Sequence, residues 1–240
     1  MTHTPKTTAD AAEFAHVTDW VFDLDNTLYP HHINLFAQID RNMTAFVAEL
    51  LQLDLEDARK LQKQYYYDHG TTLAGLMLHH GIRPDAFLER AHAIDYSGLL
   101  PHPELGEAIK ALPGRKFIFT NGTVKHAEAA AGALGILDHF DDIFDIVAAD
   151  YVPKPAGSTY DKFMNLNRVD TRRAAMFEDL PRNLSIPKSL GMRTVLLVPR
   201  NLEDTVLESF ERADASETQA DIDYVTDDLT TFLKSLIAAG

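Results

Sequence analysis

No cysteine occurs among the 240 residues, which removes disulfides, thiolate metal sites and cysteine nucleophiles from consideration. Long apolar runs are missing as well. No uninterrupted stretch approaches the roughly 20 residues of a membrane-spanning helix, and the opening MTHTPKTTADAAEFAHVTDW holds no apolar segment of signal-peptide length. We therefore expect a cytoplasmic protein without a membrane partner. Basic residues are scarce: 22 Lys and Arg stand against 36 Asp and Glu, a net charge of −14, which opposes binding to nucleic acid polymers. An anionic substrate must then be drawn in locally, by a lysine, backbone amides and a cation. Internal repeats and low-complexity segments are absent too.

The length suits one substantial core carrying an inserted module. Residues 1–14 show no periodicity and are expected to form a loose tail, and Val17 to Phe22 read as a buried strand. Before any second strand comes a long helical stretch. Ile33, Phe36, Ile39, Met43, Phe46, Val47 and Leu50 recur at three- and four-residue spacing, predicting an amphipathic helix. Leu55, Ala58, Leu61 and Tyr65 predict a second, ending near Gly70; Leu73, Leu76, Met77 and His80 a third, closed by Gly81; and a fourth starts at Pro84. After residue 97 short apolar strands alternate with helices: Lys116 to Thr120, Ile143 to Ala148, Ala174 to Phe177, Thr194 to Val198, and one near Tyr224. Such alternation predicts an α/β fold, a three-layer Rossmann-like core on a parallel sheet. The core takes residues 15–30 and 98–240, and an all-helical cap takes 31–97.

Four short polar motifs punctuate the ends of the apolar strands. The first is Asp23-Leu24-Asp25-Asn26-Thr27 after Trp20-Val21-Phe22, two carboxylates two residues apart, a poor way to build a core and a good way to build a metal-assisted nucleophile. It is followed by Thr120-Asn121-Gly122, by Lys154 between Pro153 and Pro155, and by Glu178-Asp179. In parallel sheets ligands bind at the carboxyl ends of strands, so one crevice can gather Asp23, Thr120 and Asp179. Asp23 and Asp179 can hold Mg²⁺, which favours carboxylate oxygens and bridges to phosphate. Glu178 would coordinate directly or through water. Thr120 with the amides of Asn121 and Gly122 suits phosphoryl oxygens, and Lys154, stiffened by its prolines, can aim a fixed positive charge at them. Asn183 would orient Lys154 or a metal ligand from one layer behind, or simply occupy the first turn of the next helix.

This ordered set resembles the motifs of the haloacid dehalogenase superfamily. The resemblance implies that Asp23 attacks phosphorus to form an aspartyl-phosphate, that Asp25 serves as acid and then base, and that the main-chain carbonyl of Asp25 is a third metal ligand. DNTLYP, the segment Tyr66 to Leu76 and FEDLPRNL with GMRTVLLV resemble the pyrimidine 5'-nucleotidase branch. By that analogy the loop Gly70, Thr71, Thr72 and Leu73 faces the active site and contacts the leaving group. Read from the residues alone, the same loop is a break between two helices with a threonine N-cap. Of Tyr65, Tyr66 and Tyr67, which cannot all point one way, at most one is left to stack on a base. His31, His32, His79, His80 and His92 lack a spacing that forces a metal site and read as solvated or capping. Asp138, Asp141, Asp142 and Asp145 read as a solvated helix end.

The leading expectation is a Mg²⁺-dependent phosphatase for a small phosphorylated substrate, a pyrimidine nucleoside monophosphate, acting as a monomer or homodimer. The alternatives are a phosphatase for a sugar phosphate or a phosphoglycolate-like ester, a phosphomutase, a dehalogenase, which needs no cation and does not use the second aspartate, and a non-catalytic module of the same fold.

Overall fold

Six short apolar segments flanked by helix-forming sequence assemble into one parallel sheet. The computed structural model describes residues 4–200 and 219–237. Strands β1 (Asp19–Phe22), β2 (Arg115–Phe119), β3 (Asp142–Phe144), β4 (Ala174–Glu178), β5 (Arg193–Leu197) and β6 (Tyr224–Thr226) lie in the order β3-β2-β1-β4-β5-β6. Every pairing is parallel. The order reverses its direction of growth beside β1, which creates the crevice where open parallel sheets take ligands. In register, Phe22 of β1 stands between Ile118 of β2 and Phe177 of β4, so the residues after these three strands emerge side by side.

Both sheet faces are buried. Trp20, Phe22, Ile118, Ala175 and Phe177 join the apolar cluster on one face, while Val21, Phe117, Phe119, Ala174 and Met176 join the other, the two-residue alternation of a strand. The surrounding helices are α1 (Ala11–Phe14), then α2 (Leu35–Leu51), α3 (Leu55–His69), α4 (Thr72–His80) and α5 (Pro84–Ala91) between β1 and β2. Further along the chain come α6 (Pro103–Ala111), α7 (Val124–Leu134), α8 (Gly157–Asn167), α9 (Ser185–Ser189) and α10 (Leu229–Ile237). None of the described helices is long and apolar enough to cross a membrane.

Helices α2 to α5 bury a core of their own: Ile39, Val47, Ala58, Tyr65, Leu73, Leu76, Phe87, Leu88 and Ala91 pack together, joined by Ile146 from beyond β3. Helix α3 stops at Gly70, whose φ of 81° is a left-handed conformation that an L side chain resists. Thr71 then caps α4 by accepting from the Ala74 amide at 3.1 Å. Helices α3 and α4 approach so closely that a Cβ on Gly75 would lie 2.4 Å from the Tyr65 ring. Tyr65 is buried here, Tyr67 is exposed, and Tyr66 carries the Arg182 guanidinium 4.6 Å above its ring.

Three expectations need correction. The first fourteen residues are not uniformly loose: Ala11–Phe14 is helical, Phe14 packs into the core against Trp20 and Tyr224, and Lys6 forms a parallel bridge with Tyr224. A strand over Ile143 to Ala148 is cut short at Phe144, because the buried Asp145 carboxylate accepts from the amides of Val124 and Ala148 and turns the chain off the sheet. Asp145 is therefore not part of a solvated acidic helix end, although Asp138, Asp141 and Asp142 are exposed. The core range expected over 98–240 includes residues 201–218 and 238–240, which lie outside the described residues.

Candidate active site

A cavity of about 470 Å³ opens where the carboxyl ends of β1, β2 and β4 meet the helices α2 to α5. Asp23, Asp25, Thr120, Asn121, Gly122, Lys154, Glu178, Asp179 and Asn183 all line its floor. Asp23 is placed by the sheet itself, since its amide continues the β1–β4 ladder by donating to Phe177 O at 2.9 Å. The following turn, with Asn26 at a φ of 62°, swings Asp25 into the same crevice.

Lys154 is the hub. Its side chain is wholly buried, and its ammonium donates to Asp23 Oδ1 at 2.7 Å, Glu178 Oε1 at 2.6 Å and Phe119 O at 2.7 Å. All three protons are thus used, and although burial alone would push the Lys154 ammonium down, Asp23 and Glu178 hold it above its ordinary value. Asn121 fixes the backbone beneath it: the Lys154 amide donates to Asn121 Oδ1 at 2.8 Å, and Asn121 Nδ2 donates to Lys154 O at 3.3 Å. The Gly122 amide donates to Thr120 Oγ1 at 2.9 Å, so the Thr120 hydroxyl proton, rather than the Gly122 N–H, is left to face a ligand.

Glu178 is engaged on both oxygens, accepting from Lys154 and from Asn183 Nδ2 at 2.7 Å on one and from the Leu180 amide at 2.9 Å on the other. Asn183 lies in a 3₁₀ turn over Pro181–Leu184 and its side chain reaches Glu178 rather than Lys154. Asp179 is less committed, with Asn26 Nδ2 at 3.3 Å and His31 Nε2 at 3.7 Å. Burial lowers the His31 imidazole to about 4, so it contributes no positive charge at neutral pH.

Asp23, Glu178 and Asp179 each present an oxygen within 4.8 Å of the others. Two buried carboxylates and one half-buried one against one ammonium are electrostatically incomplete. Burial pushes Asp23 up to about 7 despite Lys154, and burial, Glu178 and Asp23 together push Asp179 well above the usual carboxylate range. A divalent cation fits this deficit, and hard oxygen donors of this kind suit Mg²⁺.

Asp25 is held in a different way. Its Oδ1 accepts from the Tyr29 hydroxyl and from His126 Nε2 at 2.9 Å, while His126 Nδ1 lies 2.9 Å from the Tyr96 hydroxyl. Burial raises the Asp25 carboxyl, but His126 beside it and the hydrogen bonds from His126 and Tyr29 outweigh that and leave it below its ordinary value. Sequence reading missed His126, Tyr96 and the role of Tyr29. The only available signal was position: His126 is the third residue of the helix following Thr120-Asn121-Gly122. His92, read as solvated or capping, does close α5, its Nδ1 3.0 Å from Leu88 O, and its ring also stacks on His126 at 4.7 Å.

The loop from Gly70 to Leu73 reaches the site in part. Thr71, Thr72 and Leu73 line the cavity, but Gly70 packs on the core, where a Cβ would lie 3.1 Å from the Pro153 ring. The two threonine hydroxyls serve the chain itself, Thr71 as the α4 cap and Thr72 by donating to Gln62 O at 3.3 Å. The rest of the upper wall mixes apolar residues, among them Phe36, Ile39, Met43, Phe87 and Leu88, with the charged Asp40, Arg41, Arg59 and Lys63.

The parallel sheet thus delivers an aspartate pair, a threonine, a buried lysine and a second acidic pair into one crevice. The chain belongs to the haloacid dehalogenase-like hydrolase family, whose model matches residues 21–191. It is 27% identical over 193 residues to Phosphate metabolism protein 8 of Saccharomyces cerevisiae, covering 73% of this chain and 60% of that protein. Among solved structures it resembles a HAD phosphatase of Thermococcus onnurineus (18% identity, TM-score 0.56, 92% and 98% of the two chains). It also resembles the L-2-haloacid dehalogenase of Xanthobacter autotrophicus (17%, 0.54, 91% and 97%). At these identities the likeness is one of fold.

Proposed function

We propose that the protein is a Mg²⁺-dependent phosphomonoesterase that works through an aspartyl-phosphate on Asp23, with pyrimidine nucleoside 5'-monophosphates as preferred substrates. The observation that carries this reading is the second aspartate. Asp25 stands in the same crevice as Asp23 with one oxygen pinned by two donors, an arrangement that supplies a positioned acid and base beside the nucleophile. A dehalogenase has no use for it.

Lys154 fixes one oxygen of Asp23 and leaves the other to attack phosphorus. The phosphate dianion of the substrate, brought beside Asp25, raises its carboxyl so that Oδ2 takes up a proton, and as the ester P–O bond breaks Asp25 gives that proton to the leaving oxygen. It then takes one from the water that attacks the phosphoryl group, and phosphate departs as Asp23 is restored. Asp23 and Asp179, with the main-chain carbonyl of Asp25, would hold Mg²⁺, which when bound offsets the charge that an anionic nucleophile must approach. The Thr120 hydroxyl is placed to donate to a phosphoryl oxygen. Glu178 and Asn183 act on Lys154 rather than on substrate. The apolar patch of the upper wall, with Phe36 exposed on it, gives a flat base a surface to pack on. The yeast relative's name, which refers to phosphate metabolism, agrees with this reading.

Phosphate release measured over pyrimidine and purine nucleoside monophosphates and sugar phosphates, with Mg²⁺ and with a chelator, tests it. Faster release from UMP or CMP, abolished by the chelator, is expected. Equal rates on all would remove the nucleotidase assignment, and no Mg²⁺-dependent release from any would overturn the phosphatase assignment itself.

A further inference from the structure

We propose that His126 is a positioning residue for the proton transfers of Asp25, locking the carboxylate by a hydrogen-bonded chain that runs from Tyr96 through the imidazole to Asp25 Oδ1. The proposal rests on the phosphomonoesterase reading above. His126 is completely buried, with Nε2 2.9 Å from Asp25 Oδ1 and Nδ1 2.9 Å from the Tyr96 hydroxyl. Oδ1 accepts hydrogen bonds whether Asp25 is ionised or carries its proton on Oδ2, so the proton on Nε2 points at Asp25 whether or not the ring carries a second one.

Three further contacts fix the ring in place. The His126 amide donates to Thr123 Oγ1 at 3.2 Å, which anchors the first turn of α7. His92 lies against the ring, 4.7 Å between centroids and 21° between planes. Next to His92, Gly122 leaves so little room that a Cβ there would lie 3.0 Å from His126 Cδ2. The imidazole cannot swing away.

The consequence falls on Asp25. A carboxylate turns freely about its last torsion, whose preferences are broad and two-fold. Tyr29 and His126 converge on the same oxygen, so Oδ1 is spent and Oδ2 is the atom presented to the reacting groups. Misplacing a reacting group by about 1 Å costs as much as about 10²-fold in rate. Tyr96 belongs to the segment that returns from the α2–α5 helices to the core, which places the far end of the chain at the join between the two halves of the molecule.

A buried histidine that merely fills the core would also have two partners, so the test must read the proton and not the packing. It compares kcat/KM, which reports only steps up to phosphoryl transfer, on two substrates: an alkyl phosphate, whose leaving oxygen needs a proton, and an aryl phosphate with an acidic phenol, which needs little. His126→Leu should lower kcat/KM about 10²-fold on the alkyl ester and at least about tenfold less on the aryl ester. His126→Gln, which restores an N–H donor, should recover most of the alkyl rate. Tyr96→Phe, which leaves His126 in place but removes the partner of Nδ1, should show a smaller loss with the same alkyl selectivity, and it decides the matter should the leucine variant fail to fold. Equal losses on both esters, or a folded glutamine variant as poor as leucine, would overturn the role of His126. A wild-type protein that releases no phosphate from either ester would instead overturn the parent reading.

Discussion

On the core side of the cavity, Lys154 and Glu178 are buried and bonded to one another and to the residues around them; on the cap side, Phe36, Ile39, Met43, Phe87 and Leu88 form an apolar patch beside charged residues of α2 and α3, and the hydroxyls of Thr71 and Thr72 are turned to the chain's own backbone. The two halves solve different problems. Burying an ammonium and several carboxylates costs several kcal/mol per ion before pairing, and apolar residues of similar volume would stabilise the fold as well or better. That cluster is present for chemistry. The cap wall gains its stability from apolar burial and can change shape with little effect on the reaction below. On this account the core sets which bond breaks, and the cap sets which molecule brings it.

The comparison predicts effects that fall in size from floor to wall to hinge. Asp25→Asn removes the acid and base while keeping the shape, and should lower kcat by about 10²- to 10⁴-fold with substrate still bound. Steady-state kinetics on the best nucleotide check this, and a residual rate near wild type would assign the proton transfers elsewhere. Phe36→Ala, on the opposite wall, should leave hydrolysis of a small generic ester nearly unchanged while shifting the preference among nucleotides by about 10- to 200-fold. Loss of both activities in parallel would mean that the cap takes part in the chemistry.

Gly70→Ala tests the join. The residue has a φ of 81°, and the new Cβ would sit 3.1 Å from the Pro153 ring. We expect destabilisation of about 1 kcal/mol, a fall in Tm of about 2–4 °C, with a change in KM because Pro153 adjoins Lys154. An unchanged Tm would show that the loop does not bear on the core.

The same division explains what the chain disclosed before folding. Asp23, Thr120 and Asp179 were legible because each sits where a strand runs out, and strand ends are visible as a change from apolar to polar residues; Lys154, ten residues past the end of β3, was legible from the two prolines that flank it. The cap helices were legible from three- and four-residue spacing, and their ends from Gly70, Gly81 and Pro84. His126 was not, because on a helix a buried histidine has the same period as any core residue, and its partner Asp25 lies 101 positions earlier in the sequence. Phe14 was hidden for a similar reason: a single aromatic in a polar stretch has no periodicity, and Trp20, Tyr224 and Phe232, two of them far along the chain, give it a place to bury. Asp145 looked like one of four solvated acids until the amides of Val124 and Ala148 turned out to point at it.

The central claim, that Asp23 carries the phosphoryl group, is tested most directly by acid-quenching the enzyme during turnover of its best substrate with Mg²⁺ and locating the modified peptide by mass spectrometry. The account predicts a phosphorylated peptide containing Asp23, absent in Asp23→Asn, a variant that folds but does not turn over. Substantial phosphate release by Asp23→Asn, or a phosphoryl group found on any other residue, would contradict it.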